Sequence, residues 1–325
     1  MIKTYFYNHA ENAMYHDIDI LEKDELLTDP HNLLWVDMYE CTEEELNYMG
    51  EIFDFHPLAL EDCLQKSPRA KIDDYDDYYF FVFHALKYNE ESEDDEITSI
   101  ELDVFFGSNY IVTIHPTVLS TVGNIARISL HSTSFMDRGA EYLLYSMIDG
   151  IVDQTFPILD RISDRIDELE DNIFTFRGTS EILEEISALR RTLILMRKVL
   201  IPQRTIFSNV KGKYNFFIMD ENIPYFLDLA DHLNNILDSI NAYRDLVNST
   251  YETYYMAITG KTNEIITVLT VISVIMMPLS VITGFFGMNV PIPGQESPLA
   301  MWIILAGITV LALGMLLFFR LRKWM

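Results

Sequence analysis

The chain has 325 residues and a formal net charge of −27, from 50 Asp and Glu against 23 Lys and Arg, yet 49% of it is hydrophobic. Such an acidic chain lacks the basic face with which a nucleic-acid binder displaces phosphate counterions, and such an apolar one is neither a disordered acidic tail nor a uniform soluble domain. Its 2 cysteines, Cys41 and Cys63, are too few for a disulfide framework or a zinc knuckle and read as small buried residues in a reducing compartment.

Along the chain, Met1-Ile-Lys-Thr-Tyr5 lacks the apolar core of a signal peptide. Residues 1 to about 135 alternate short β-rich and helical patterns, an α/β domain. Tyr5–Tyr7, Leu33–Val36, Tyr78–Phe83, Leu102–Phe106 and Tyr110–Ile114 read as strands. Gly107-Ser-Asn109 between the last two reads as a hairpin turn, with Gly and Asn suited to positive φ. Thr42, followed by Glu43, Glu44 and Glu45, is a helix start with Glu45 at the capping-box position. The acidic run Glu90–Glu96 reads as a solvated loop.

From about Ala140 the apolar residues recur every three or four positions through Ile173, which predicts one helix over that stretch. Gly178-Thr-Ser180 breaks it. A second helix runs from Glu181 to about Asn209, and Gly212 ends it. A third starts near Pro224, a residue suited to a first helical turn. It meets no strong stop before Phe286, so its 63 residues predict a helix about 95 Å long.

The end of that helix is oily. Ile265–Phe286 and Leu299–Phe319 carry no charge, and each is long enough to cross a bilayer, for which about 20 residues suffice. Pro291, Pro293, Gly294 and Pro298 make the connection between them a loop. Lys261 precedes the first span, Arg320, Arg322 and Lys323 follow the second, and the loop has no Lys or Arg, so both termini are expected in the cytoplasm. Two acids (Glu264, Glu296) and these four bases are all the charges after Gly260, a net +2; the remaining 48 acids and 19 bases give −29 before it. Two helices cannot enclose a polar path, so a channel built from this chain must oligomerise, whereas a membrane anchor need not.

Enzyme signatures are missing. Gly260-Lys261-Thr262 resembles the end of a P-loop, but the Gly required five residues earlier is Tyr255. No His-Glu-x-x-His, Cys-x-x-Cys or Gly-x-Ser-x-Gly occurs, and the 8 His show no ligand spacing.

Gly287-Met288-Asn289, directly after a span with Met277-Pro-Leu-Ser280 and Thr283-Gly-Phe-Phe286, resembles the signature of the CorA family of divalent-cation channels. Other segments match in order: His56–Asp62, Arg69–Tyr75, Tyr142–Asp149, Ile223–Asp228, Thr262–Glu264 and Arg322–Met325. The resemblance implies an α+β cytoplasmic domain, long stalk helices and two C-terminal transmembrane helices, assembled as a homopentamer in the inner or plasma membrane. The domains expected are 1–135, 136–260 and 261–325. It implies transport of Mg2+, with Co2+ and Ni2+ as further substrates, and no organic cofactor. Gly287, Met288 and Asn289 become the selectivity filter, and Asn263, Leu269, Met277 and Ser280 line the pore. Asp62 and Asp228 bind regulatory Mg2+ across a subunit interface, with Glu61 and Asp149 close by. The sequence departs from the family in its loop, where Pro291–Glu296 replaces a Met-Pro-Glu-Leu-like segment, and in having fewer terminal bases.

The chemistry suits Mg2+, which surrenders water reluctantly. A ring of neutral Asn289 amides could hydrogen-bond a hydrated ion without trapping it. The carboxylates Asp62 and Asp228, brought together by packing, would repel until a divalent ion bridged them, so loss of internal Mg2+ would loosen a closed state. Two alternatives stay open: a Zn2+ transporter of the same superfamily, and a membrane-anchored acidic sensor or scaffold without transport.

Overall fold

The computed structural model describes residues 1–88, 97–175, 179–208, 219–288, 298–322 and 324. It divides into two compact units, Met1–Ser249 and Thr250–Met325. The acidic run Glu90–Glu96, Gly178 and Gly212 lie outside the described residues.

The first unit is built on seven strands: β1 (Ile2–Asn8), β2 (Ala13–His16), β3 (Leu33–Tyr39), β4 (Lys71–Tyr75), β5 (Tyr78–Tyr88), β6 (Ile97–Phe106) and β7 (Tyr110–His115). Their order in the sheet is β2-β1-β3-β7-β6-β5-β4. Among the described residues only β3 and β7 pair in parallel. All five strands expected from the sequence form. The two that were not read, β2 and β4, are the sheet edges.

Helices α1 (Lys23–Leu26), α2 (Glu43–Phe53) and α3 (Pro57–Gln65) lie among the strands in sequence, and α4 (Ser120–Ser129), α5 (Ala140–Asp153), α6 (Thr155–Thr175) and α7 (Thr179–Ser208) follow them. Successive side chains of a strand face opposite ways. Phe6, Val36, Phe80, Val82, Phe105 and Val112 pack on Leu46, Met49, Phe53 and Ala59 of α2 and α3. The other face meets α5 and α7, as where Phe83 stacks on Phe207 at 5.8 Å. Cover on both faces explains why β5 is apolar from Tyr78 to Leu86 apart from His84, and buried throughout that run. The capping box forms: Thr42 Oγ1 accepts from the Glu45 N–H at 3.2 Å, and Glu45 Oε2 accepts from the Thr42 N–H at 2.9 Å.

Two expectations are corrected. The β6–β7 turn forms, with the Gly107 N–H donating to the Tyr110 carbonyl at 3.0 Å, but neither Gly107 nor Asn109 takes positive φ. Glycine is required at 107 because a Cβ there would run into the Tyr110 ring. Asn109 works through its side chain, whose Nδ2 donates to the Leu27 carbonyl at 3.1 Å. The single helix expected from Ala140 to Ile173 is two, divided at Gln154. Pro157 has no N–H to offer the Asp153 carbonyl, and at the division the Gln154 side chain donates from Nε2 to Ser120 Oγ at 2.9 Å and Thr121 Oγ1 at 2.6 Å.

Helix α8 (Ile223–Phe286) has 64 residues, about 96 Å at 1.5 Å each, and α9 (Pro298–Leu321) has 24. The long helix is thus continuous as expected. Within the first unit it buries Phe226, Leu229, Leu233, Ile236, Ile240 and Val247 at spacings of three, four and seven. In the second unit its apolar window and that of α9 are 6% and 0% buried. A face that bare needs lipid or further helices to cover it.

Candidate ion pathway and metal-binding carboxylates

Asn263, Leu269, Met277 and Ser280 all sit on α8, exposed in the single chain. At 100° per residue they fall within an arc of about 120°, so one stripe of the helix carries them all. The hydroxyls of Thr267, Thr270 and Ser273 donate to the carbonyls four residues earlier, Asn263, Ile266 and Leu269, at 2.7–2.9 Å. Those hydroxyls are satisfied within the helix, which lets them sit in an apolar stretch at little cost. Pro278 is accommodated without a break.

Beyond Phe286 the Gly287 N–H still donates to the Thr283 carbonyl at 2.9 Å. A Cβ at Gly287 would stand 3.0 Å from that carbonyl oxygen, so a small residue lets the last turn close tightly. The final carbonyls of a helix carry partial negative charge, favourable to a cation waiting there. Met288 is half exposed, and Asn289 lies outside the described residues.

The four carboxylates form two groups. Glu61 and Asp62 sit on α3, whose start is set by Pro57 at the first helical position and by His56, whose Nδ1 accepts from the Leu58 N–H at 3.2 Å. Glu61 accepts from Gln65 Nε2 at 2.8 Å. Asp62 is paired within its own chain: Lys71 Nζ lies 2.6 Å from Asp62 Oδ2 and 2.6 Å from Asp73 Oδ2. Burial works against the Lys71 charge, but these two bonds outweigh it and hold the ammonium above its usual range. The sequence reading did not foresee this pair.

Asp149 on α5 and Asp228 on α8 are drawn together by a residue that reading overlooked. His232 places Nδ1 3.6 Å from Asp149 Oδ1 and Nε2 3.7 Å from Asp228 Oδ2. Both distances exceed a hydrogen bond, and Asp149 Oδ1 and His232 Nδ1 are buried without one. Asp153, one turn after Asp149, completes a group in which Asp149, Asp153 and His232 each offer a ligand atom within 4.8 Å of the others. Burial, then the charge of Asp153, pushes the Asp149 carboxyl up; His232 and the Tyr145 hydroxyl pull it down. The signal was present as two i, i+4 pairs, Asp149/Asp153 and Asp228/His232, but only the packing of α5 on α8 makes them one cluster. Carboxylate oxygens suit Mg2+, and the imidazole adds a donor that suits Co2+, Ni2+ or Zn2+. Two buried polar atoms without hydrogen bonds fit a bound cation, which would satisfy both.

The chain matches the family described as CorA-like Mg2+ transporter protein over residues 31–322. It is 32% identical over 283 residues to the cobalt/magnesium transport protein CorA of Thermotoga maritima, covering 85% of this chain and 79% of that one. Against the protein of the same name from Methanocaldococcus jannaschii it is 26% identical over 304 residues, covering 93% and 94%. The complete structure of the CorA magnesium transporter from Methanocaldococcus jannaschii superposes over 100% of this chain and 99% of that one, with a TM-score of 0.86 at 24% identity. With an α+β unit, a 64-residue helix and two bare apolar helices already in view, the chain is a membrane protein that belongs to the CorA-like family of divalent-cation transporters.

Proposed function

We propose that the chain forms a homopentameric channel that admits Mg2+, with Co2+ and Ni2+ as lesser substrates, down the membrane potential into the cytoplasm. Both termini face inward, in the inner or plasma membrane, and residues 1–135, 136–260 and 261–325 act as sensor, stalk and pore. The observation that carries the reading is the single stripe of Asn263, Leu269, Met277 and Ser280 on a helix whose apolar window is 6% buried. Five copies of that stripe around an axis give two apolar rings, Leu269 and Met277, between two polar ones, Asn263 and Ser280. Leu269 and Met277 close the path by dewetting, while Asn263 and Ser280 supply oxygens. Gly287, Met288 and Asn289 form the outer filter, where five amides hold a hydrated ion by its water.

Gating uses the carboxylates. Mg2+ bridging Asp62 of one subunit and Asp228 of the next, near Glu61 and Asp149, favours the closed state; Lys71 is the internal counter-ion that Asp62 must share when the metal binds. Loss of internal Mg2+ shifts the population toward open.

The test is uptake into liposomes of Mg2+, Co2+, Ni2+ and Zn2+ in one preparation, with and without internal Mg2+. Mg2+ flux that disappears in Asn289→Ala is expected. Flux retained by that variant removes the filter assignment, and no flux for any cation from the parent removes the channel. Asp62→Ala combined with Asp228→Ala is expected to leave flux less inhibited by internal Mg2+; unchanged inhibition removes the gating assignment.

A further inference from the structure

The first unit is strongly acidic in composition, yet a groove in it carries only cations among its charged lining residues. A cavity of about 460 Å3 between α7, α8 and the segment after α3 is lined by Arg69, Arg197, Lys198 and Arg244, with no Asp or Glu in its lining. A second cavity, of about 360 Å3, shares Arg69 and Lys198, adds Lys66, and has Glu101 as its carboxylate. Up to Gly260 the chain has 48 acids for 19 bases, so a cation has carboxylates to spare. Arg197 nonetheless takes a neutral partner, its Nη1 donating to Asn241 Oδ1 at 3.0 Å. Arg244 pairs with its sequence neighbour Asp245 at 3.1 Å. Among the described residues Arg69 and Lys198 make no hydrogen bond or ion pair.

Among the described residues, Arg69, Arg197 and Lys198 gather on one wall without a carboxylate partner, which costs Coulomb energy. In a chain this acidic, an anion from outside offsets that cost. The flanks narrow its chemistry. On α7 the cations at 197 and 198 stand one turn from apolar pairs on either side, Leu193 with Ile194 and Ile201 with Pro202, and Ile240 of α8 closes the floor. Ile194 is 64% exposed, a large apolar surface held out beside the charges. A simple inorganic anion would use the cations and leave that surface wet. The guanidinium forks suit phosphate oxygens, and the volume lies within the ~300–1,000 Å3 of small-molecule sites.

We propose that this groove binds a nucleoside polyphosphate, its phosphates on Arg69, Arg197 and Lys198 and its base against Ile194 and Ile201. As a cytoplasmic ligand it rests on the inward orientation proposed above; binding to the purified protein does not. The ligand would tie the α+β domain, through Arg69, to α7, which carries Arg197 and Lys198.

The test is titration calorimetry on the full chain in detergent, with EDTA present so that no divalent ion carries a nucleotide to the carboxylates. Sodium ATP is expected to bind saturably, tighter than tripolyphosphate, with adenosine silent. Arg69→Gln with Lys198→Gln is expected to weaken ATP about tenfold or more. Ile194→Asp, a change at an exposed position, is expected to do the same while melting and oligomer mass stay as in the parent. The proposal is overturned if the parent shows no saturable ATP binding, if ATP binds the variants as well as the parent, or if tripolyphosphate binds as tightly as ATP. It is also overturned if a short-chain phosphoinositide displaces ATP at lower concentration than ATP itself, which would make the groove a lipid-headgroup site.

Discussion

The two units of this chain obey the same rule of apolar burial in opposite solvents. Met1–Ser249 hides its apolar side chains against one another: Trp35, Phe80, Phe83 and Phe105 have almost no exposure. Thr250–Met325 leaves Leu269, Met277, Leu299 and Val310 more than 60% exposed. In the first unit, side chains alternate between two faces of a sheet that helices cover. In the second, the apolar windows of the two helices are almost wholly uncovered among the described residues, so lipid and neighbouring helices must cover them. A side chain that is a defect in one unit is a requirement in the other.

That contrast can be broken from either side. The largest effect is expected for Phe105→Ala, which empties the centre of the aromatic cluster where Phe105 meets Phe55 at 3.8 Å and Phe80 at 4.8 Å. Such truncations cost ~3–5 kcal/mol, read as a fall in the melting temperature of the first unit with little change in membrane insertion. The reverse is expected for Val310→Arg on α9, 70% exposed. A charge near the centre of a span costs ~2.5–3.5 kcal/mol of insertion, read as lost membrane fraction while the first unit melts as before. If Val310→Arg inserted normally, α9 would not face hydrocarbon at that point.

The smallest effect sharpens the comparison, because it concerns charge buried in protein. Asp103 lies deep under α3, where burial, then the neighbouring Glu101, pushes its carboxyl well above the ordinary 3.8. A carboxyl raised in the folded state favours folding while it holds its proton. That contribution is complete below the ordinary value and is lost as pH rises through the raised one. Asp103→Asn keeps the neutral form at every pH. It is therefore expected to flatten the decline in stability above pH 3.8, measured by chemical unfolding across the range; a decline as steep as the parent's would place the proton elsewhere.

Much of the fold was legible because it rests on local pattern. Strand β5 shows itself as an apolar run, the α2 start as Thr42 with Glu45, and α8 as a long stretch without a stop. Strands β2 and β4 escaped notice because Ala-Met-Tyr-His and Lys-Ile-Asp-Asp-Tyr carry little apolar alternation; they are strands because β1 and β5 offer them free edges. The stripe on α8 was legible through resemblance, and helical geometry then places its four residues on one side. The carboxylate site was only half legible. Asp149 and Asp228 were named, while His232 and Asp153 needed α5 beside α8, and Lys71 needed β4 beside α3.

By itself the sequence determined the division of the chain into an acidic folded part and an oily part, the two spans and the family. These depend on composition, periodicity and short motifs, which act over a few residues. Only the tertiary structure decided which charges meet. Lys71 bonds Asp62 and Asp73, His232 sits between Asp149 and Asp228, and Arg69 joins Arg197 and Lys198 in one groove. Coulomb energy depends on distance in space, and residues 83 or 129 positions apart acquire that distance only when helices pack.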